Sequence, residues 1–315
     1  MQSFLTALGA VLPIFAFLTL GVTLRKTGLL DVHTLNKLNT LAFKVFLSVS
    51  LYYNICTANI AEVFDGKLLT VAIASQFIIL ALAVLAAVPT EKTKKRRGAL
   101  AHGIFHTNFV IFGTLIGTAL CGEGNLGSIS LLIATIVPTQ NVLSVILLEM
   151  YREGSGKVNA KQVVSGVIKN PYVIAAILGF ATQLVGLHYP KMVLNIIRDV
   201  GRCGTPVAIM VMGGLFNFGA IRNNLKPIVV GVVSRLVLVP MVMVPIAVCM
   251  GFRGAAMVGL MCIFIAPCAT TSFNLASAMD SDADLAAQLV VFTSLFSLLT
   301  IFSWIFCLSS MGVLV

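Results

Sequence analysis

Two stretches set hydrogen-bonding side chains inside long apolar runs: His106-Thr-Asn-Phe-Val-Ile-Phe-Gly-Thr114 and Ala266-Pro-Cys-Ala-Thr-Thr-Ser-Phe-Asn274. Pro267 lacks an amide hydrogen and clashes with the turn before it, so it either breaks its helix or kinks an intact one. At a break, the N-terminal dipole end and its unpaired amides can hold an anion. Thr270, Thr271, Ser272 and Asn274 are then free to bind solute; in a kinked helix they bond back onto their own backbone. In the other stretch Asn108 offers a pair of amide donors suited to a carboxylate, or it fastens two helices together. Gln140 and Asn141 follow Pro138 and are candidates for the same cavity, with Ser48 and Ser50 completing its lining.

Ionisable residues deep in an apolar run are costly and therefore suspects for function. Lys44 and Arg202 stand about two turns inside the expected membrane spans, at equivalent positions, and Arg235 nearer the centre of its own span. All three are cations, which suits an anionic solute or its path; the alternative is snorkelling, with stems on apolar surface and heads among the lipid headgroups. No aspartate or glutamate falls near mid-run, and Glu149 lies close to an edge. A carboxylate proton relay thus has no candidate, and a sodium site would have to use carbonyls, hydroxyls and amides. His102 and His106, four apart, share a helix face and suit packing or capping, proton exchange, or metal binding with only two ligands. No metal and no cofactor are expected. Seven cysteines without CxxC spacing read as small apolar packing residues, with no disulfide.

The elements that must carry these groups follow from composition. Of 315 residues 58% are apolar and 10% charged, and the mean hydropathy is +1.02, too little charge to coat a soluble globule. Uncharged runs span Met1–Leu24, Val45–Ala61, Leu68–Thr90, Gly98–Gly122, Gly124–Leu148, Asn170–Pro190, Cys203–Ile221, Leu236–Phe252, Gly254–Met279 and Leu285–Val315. Each is near the roughly 17–25 residues a membrane helix needs. The expected fold is all-α and polytopic, with about ten crossings in a plasma or bacterial inner membrane. A β-barrel is excluded because period-2 alternation is absent. The first run reads as a mature span, since it lacks a basic lead-in and a cleavage site. The net charge of +10 belongs to loop anchors, so the expected partner is anionic lipid and not nucleic acid.

Ten crossings sort fourteen basic residues onto one side: Arg25, Lys26, Lys37, the five within Lys92–Arg97, Arg152, Lys157, Lys161, Lys169, Arg222 and Lys226. Five fall opposite: Lys67, Lys191, Arg198, Arg202 and Arg253. The richer side is predicted to be cytoplasmic, with both termini outside. That assigns the acidic loop Asp280–Asp284 to the cytoplasm as well, although acidic residues carry little weight in this rule.

A shift of 158 residues lays Pro13, Gly21 and Gly28 on Pro171, Gly179 and Gly186, and pairs Lys44 with Arg202 and Ser48 with Pro206. A shift of 156 lays Arg97-Gly-Ala99 and Gly103 on Arg253-Gly-Ala255 and Gly259. The chain is thus predicted to hold two five-span halves, residues 1–158 and 159–315. Five is odd, so the second half enters the membrane upside down, the arrangement of many secondary transporters.

The sequence resembles the auxin efflux carrier family, which includes plant auxin exporters and bacterial permeases proposed for malate and malonate. The resemblance spans essentially the whole chain. It rests on Asn108-Phe-Val-Ile-Phe-Gly113, Gly122-Glu-Gly124, Asn170-Pro171, Pro267 through Phe273, Ala276, Thr293, Ser297 and Thr300. It implies a fold like that of bile-acid/sodium symporters: spans 1, 2, 6 and 7 form a scaffold, and spans 3–5 and 8–10 an elevator-like mobile core in which spans 4 and 9 unwind and cross. It further implies a substrate contact at Asn108 and a homodimer through the scaffold. Leu115 and Ser48 stand where family members commonly carry proline, so the fourth span has the weaker break signal. The long hydrophilic loop of many plant exporters is missing.

The expected activity is secondary transport of a small organic anion, a mono- or dicarboxylate, by alternating access. A channel or solute sensor of the same fold is the rival. An intramembrane enzyme is disfavoured, because no paired intramembrane acids and no HExxH helix occur.

Overall fold

Three aspartates set where helices begin. Asp31, Asp65 and Asp282 accept from the amides of Thr34, Leu68 and Leu285 at 2.8, 2.9 and 2.9 Å, pairing groups that the first turn leaves open. The Thr34 hydroxyl, and after it the Thr34 amide, hold the Asp31 carboxyl below the ordinary aspartate value. Asn170 caps in the same way ahead of Pro171, whose missing amide hydrogen is harmless at the first helical position.

The computed structural model describes residues 2–57, 65–122, 125–152, 164–165, 168–187 and 189–314, helical almost throughout and without a strand among them. Helix α1 is Gln2–Lys26; α2 (Val32–Leu41) continues through a π-helical stretch, Ala42–Leu47, into α3 (Ser48–Cys56). Then come α4 (Gly66–Thr90), α5 (Lys94–Phe105), α6 (Phe109–Cys121), α7 (Gly127–Met150) and α8 (Pro171–Leu184). After α9 (Lys191–Arg202) and α10 (Gly204–Leu215), α11 (Leu225–Val233) passes through a second π-helical stretch, Ser234–Leu238, into α12 (Val239–Cys249). The last are α13 (Gly254–Ile265), α14 (Thr271–Ala278) and α15 (Ala283–Ser310). Among the described residues four stretches are long and apolar enough to cross a membrane: Gly66–Thr90, Gly127–Met150, Arg222–Cys249 and Ala283–Ser310. Shorter apolar helices cover Phe109–Cys121, Pro171–Leu184 and Gly254–Ile265. The molecule is a polytopic all-α membrane protein.

The seventh run, opening at Cys203, carries helix from Gly204, and the strongly amphipathic α9 lies ahead of it as a separate helix. One local difference from the sequence expectation has a physical cause. The fourth run, without a proline at Leu115, breaks as fully as the ninth: α5 stops at Phe105 and α6 starts at Phe109.

The largest apolar cluster is built from α4–α7, α11, α12, α13 and α15, with Leu100, Phe105, Phe112, Phe264 and Leu289 fully buried in it. Smaller clusters join α2, α3, α8 and α10. Helices α1 and α10 meet backbone to backbone. A Cβ on Gly21 would lie 1.9 Å from the carbonyl oxygen of Met210, and one on Gly213 would lie 2.2 Å from that of Leu18.

The loops gather at two ends. At one, Lys95 pairs with Asp280 at 2.9 Å, and Arg96 with Glu91 at 2.7 Å and Asp282 at 3.2 Å. The acidic loop Asp280–Asp284 thus shares an end with the basic run Lys92–Arg97 and offsets part of its charge. At the other, Lys67 donates to the Met250 carbonyl at 2.7 Å, and the amide of Gly254 donates to the Val313 carbonyl.

The close approach of α1 and α10 predicts that Gly21→Val destabilises the purified protein by about 3 kcal/mol or more, the upper range of overpacking, because backbone cannot move aside. Gly219→Ala, whose Cβ would meet only the Asn217 side chain at 3.4 Å, is expected to leave the melting temperature in detergent unchanged. Equal melting temperatures for the two variants would contradict the packing described.

Candidate functional site

Pro267 cannot donate to the preceding turn, and α13 ends just before it at Ile265. His106–Asn108 and Ala266–Thr270 run between their helices, and the two segments cross as an antiparallel bridge centred on Thr107 and Cys268. The amide of Asn108 donates to the Pro267 carbonyl at 2.9 Å, and that of Ala269 to the His106 carbonyl at 2.9 Å. The Cys268 amide donates to Thr293 Oγ1 at 3.0 Å, which ties the crossing to α15. The fourth run therefore breaks without a proline because the ninth supplies the partners its unwound backbone needs.

The crossing brings four helix ends together. α6 and α14 begin at it, with Asn108 and Thr270 in their N-cap positions, and present amide ends with partial positive charge. α5 and α13 end at it and present carbonyls.

A cavity of about 120 Å³ lies on the amide side. The crossing contributes His106, Thr107, Asn108, Thr270 and Thr271; α7 contributes Gln140 and Asn141. The facing wall is Ser50 and Asn54 from α3, Tyr172 from α8 and Thr205 from α10. Asn108 is 7% exposed, and its Nδ2 has no hydrogen-bond partner among the described residues. Gln140 is engaged: its Nε2 donates to Gln76 Oε1 at 2.9 Å and to Thr107 Oγ1 at 3.2 Å. Asn141 Nδ2 donates to the Val137 carbonyl at 3.0 Å in its own helix.

Other candidates stand elsewhere. Ser48 donates to the Phe43 carbonyl at 3.0 Å, and its neighbour on the cavity wall is Ser50. Ser272 Oγ lies 3.4 Å from His106 Nδ1. Asn274 Nδ2 donates to Asn39 Oδ1, linking α14 to α2. Pro267 contributes its carbonyl to the bridge and does not line the cavity. Arg202 is exposed at the end of α9. Arg235 is fully buried behind the crossing, on its carbonyl side. Lys44 lines a second, larger cavity of about 610 Å³ with Glu149, Arg152, Lys169 and Asn170. Phe43 from that cavity and Tyr172 from the first touch edge to face, ring centres 5.1 Å apart. His102, with no exposed surface, packs at a tilt against His106, ring centres 5.0 Å apart. Among the described residues no group of three or more His, Cys, Asp and Glu side chains could hold a metal.

Thr107, Asn54, Tyr172 and Thr205 were not singled out from sequence. Asn54 had a usable signal, since it lies four residues after Ser50 and shares its helix face. Tyr172 and Thr205 had none, being ordinary in type and brought in by tertiary packing.

The chain matches the family model described as "Membrane transport protein" over residues 6–305. None of the curated proteins matches it. The matching family is a family of transporters and not of enzymes. With nearly its whole length covered, the chain belongs to the membrane transport protein family of the auxin efflux carriers.

Proposed function

We propose that the chain is a secondary carrier that moves a small organic anion, a mono- or dicarboxylate, across the membrane by alternating access. Asn108 carries the reading. Asn108 lines the cavity, and its buried Nδ2 lacks an acceptor among the described residues. An unmade hydrogen bond at a buried donor is expensive, and a bound carboxylate oxygen would supply it. The N-terminal ends of α6 and α14 beside it add positive potential with no fixed countercharge to be desolvated. Thr270, Thr271, Gln140 and Asn141 complete the polar lining. A cavity of about 120 Å³ suits a small acid better than a drug-sized ligand, whose pockets run to about 300–1,000 Å³.

In this reading the chain crosses the membrane ten times as two inverted halves, residues 1–158 and 159–315, with the end bearing Lys92–Arg97 in the cytoplasm. The large apolar cluster is the mobile core, and α1–α3 with α8–α10 are the scaffold. The cavity lined by Lys44, Arg152 and Lys169 is the cytoplasmic approach, closed from the site by the Phe43–Tyr172 contact.

Purified protein in liposomes, given labelled malonate, malate or indole-3-acetate under an imposed pH gradient or voltage, is expected to show saturable flux of at least one. If none moves or competes, the carboxylate reading fails. Asn108→Ala is expected to weaken the half-saturating concentration by roughly 10–100-fold, the cost of one hydrogen bond to a charged acceptor, with insertion and melting temperature retained. Pro267→Ala is expected to lower flux less than Asn108→Ala, because the bridge between Asn108 and the carbonyl of residue 267 survives the change. The reverse order would mean that proline, not the paired backbone, maintains the break.

A further inference from the structure

Arg235 is a cation with no exposed surface, on the side of the crossing away from the cavity. It rides on the π-helical stretch Ser234–Leu238, between α11 and α12, a local widening often found at functional positions. No carboxylate pairs with it among the described residues. Its partners are carbonyls. Nε donates to Ala266 at 2.8 Å, Nη2 to Ile263 at 2.6 Å and Phe264 at 2.8 Å, and Nη1 to Ile104 at 3.3 Å. Three belong to the end of α13 and the residue following it, the fourth to the last turn of α5.

These acceptors belong to the helix ends that the crossing leaves open, where carbonyls lack intrahelical donors and the dipoles are negative. A set of carbonyl oxygens converging from two chain segments is also what a hard cation such as sodium would use. A buried charge without a countercharge persists only where dipoles replace water fully, and guanidinium stays protonated in such a setting.

We infer that Arg235 is a tethered internal cation: it fills a carbonyl-lined cation site at the C-terminal ends of α5 and α13, and so keeps the anion site on the opposite side of the crossing formed without a bound coupling cation. The second half of this statement rests on the proposed anion-carrier function; the first does not. Arg235 is a positioning residue, since it reaches the cavity only through the backbone it holds.

The test is chemical rescue. Arg235→Ala is purified in detergent beside wild type, and both are melted in low-millimolar guanidinium chloride or in equal tetramethylammonium chloride. The variant is expected to melt well below wild type and to recover part of the loss in guanidinium only, with wild type unmoved by either salt. A variant that melts like wild type, or that gains nothing specific from guanidinium, overturns the cation site. If Arg235→Ala cannot be purified, Arg235→Lys and Arg235→Met decide: a folded Lys form beside an unfolded Met form supports the charge assignment. Both folding or both failing overturns it. In liposomes with labelled malonate, malate or indole-3-acetate, wild-type flux is expected to be equal in sodium and choline media. A sodium requirement overturns the claim that no coupling cation is needed. Absence of flux for malonate, malate and indole-3-acetate alike counts against the carrier reading alone, and the melting experiment still reads the cation site.

Discussion

A peptide group in hydrocarbon must find a partner within the protein, and a helix interrupted at mid-membrane leaves several without one. This chain interrupts two apolar helical runs and lays the gaps across each other, so that each supplies the other's partners. The Asn108 amide meets the Pro267 carbonyl and the Ala269 amide meets the His106 carbonyl; neither break would be tolerable alone. Pairing also sorts the open helix ends. Amide ends of α6 and α14 flank the cavity, and carbonyl ends of α5 and α13 surround Arg235. One geometric necessity therefore separates positive from negative potential across a few ångströms of protein, using a single formal charge.

How much of this was legible in the sequence differs residue by residue. Pro267 announced the ninth break by local chemistry, since proline acts on its own turn. The fourth break had no such mark: its cause lies about 160 residues away, in a strand-like partner that no window along the chain contains. Asn108 was recognisable as a polar residue in an apolar run, and the sequence left open whether it binds or fastens. Its Nδ2, unpaired among the described residues, is the ground on which binding is proposed. Asn274 looked equivalent by type and yet bonds across to Asn39, because α14 is short and turns that face toward α2. Arg235 stands out for its depth, but carbonyl acceptors are invisible to composition, which points a buried cation toward an anion.

The charge pattern at the membrane edges follows the same division between local and distant causes. Counting basic residues sorts the loops, and the acidic loop at Asp280–Asp284 runs against the count. Asp280 and Asp282 pair with Lys95 and Arg96, partly shielded positions where the ion pairs hold the start of α5 against the start of α15. The aspartates clamp two turns together and offset part, not all, of the positive charge on that end.

The junction of α1 and α10 bears on how such a molecule can move. Where Gly21 faces the Met210 oxygen and Gly213 faces Leu18, two main chains touch with no side chain between them to act as a lubricant. A slip of one residue along that seam would drive methyl groups into carbonyls. It is a weld, and any working stroke must shear along seams surfaced with Leu, Val and Phe, where rotamers can yield.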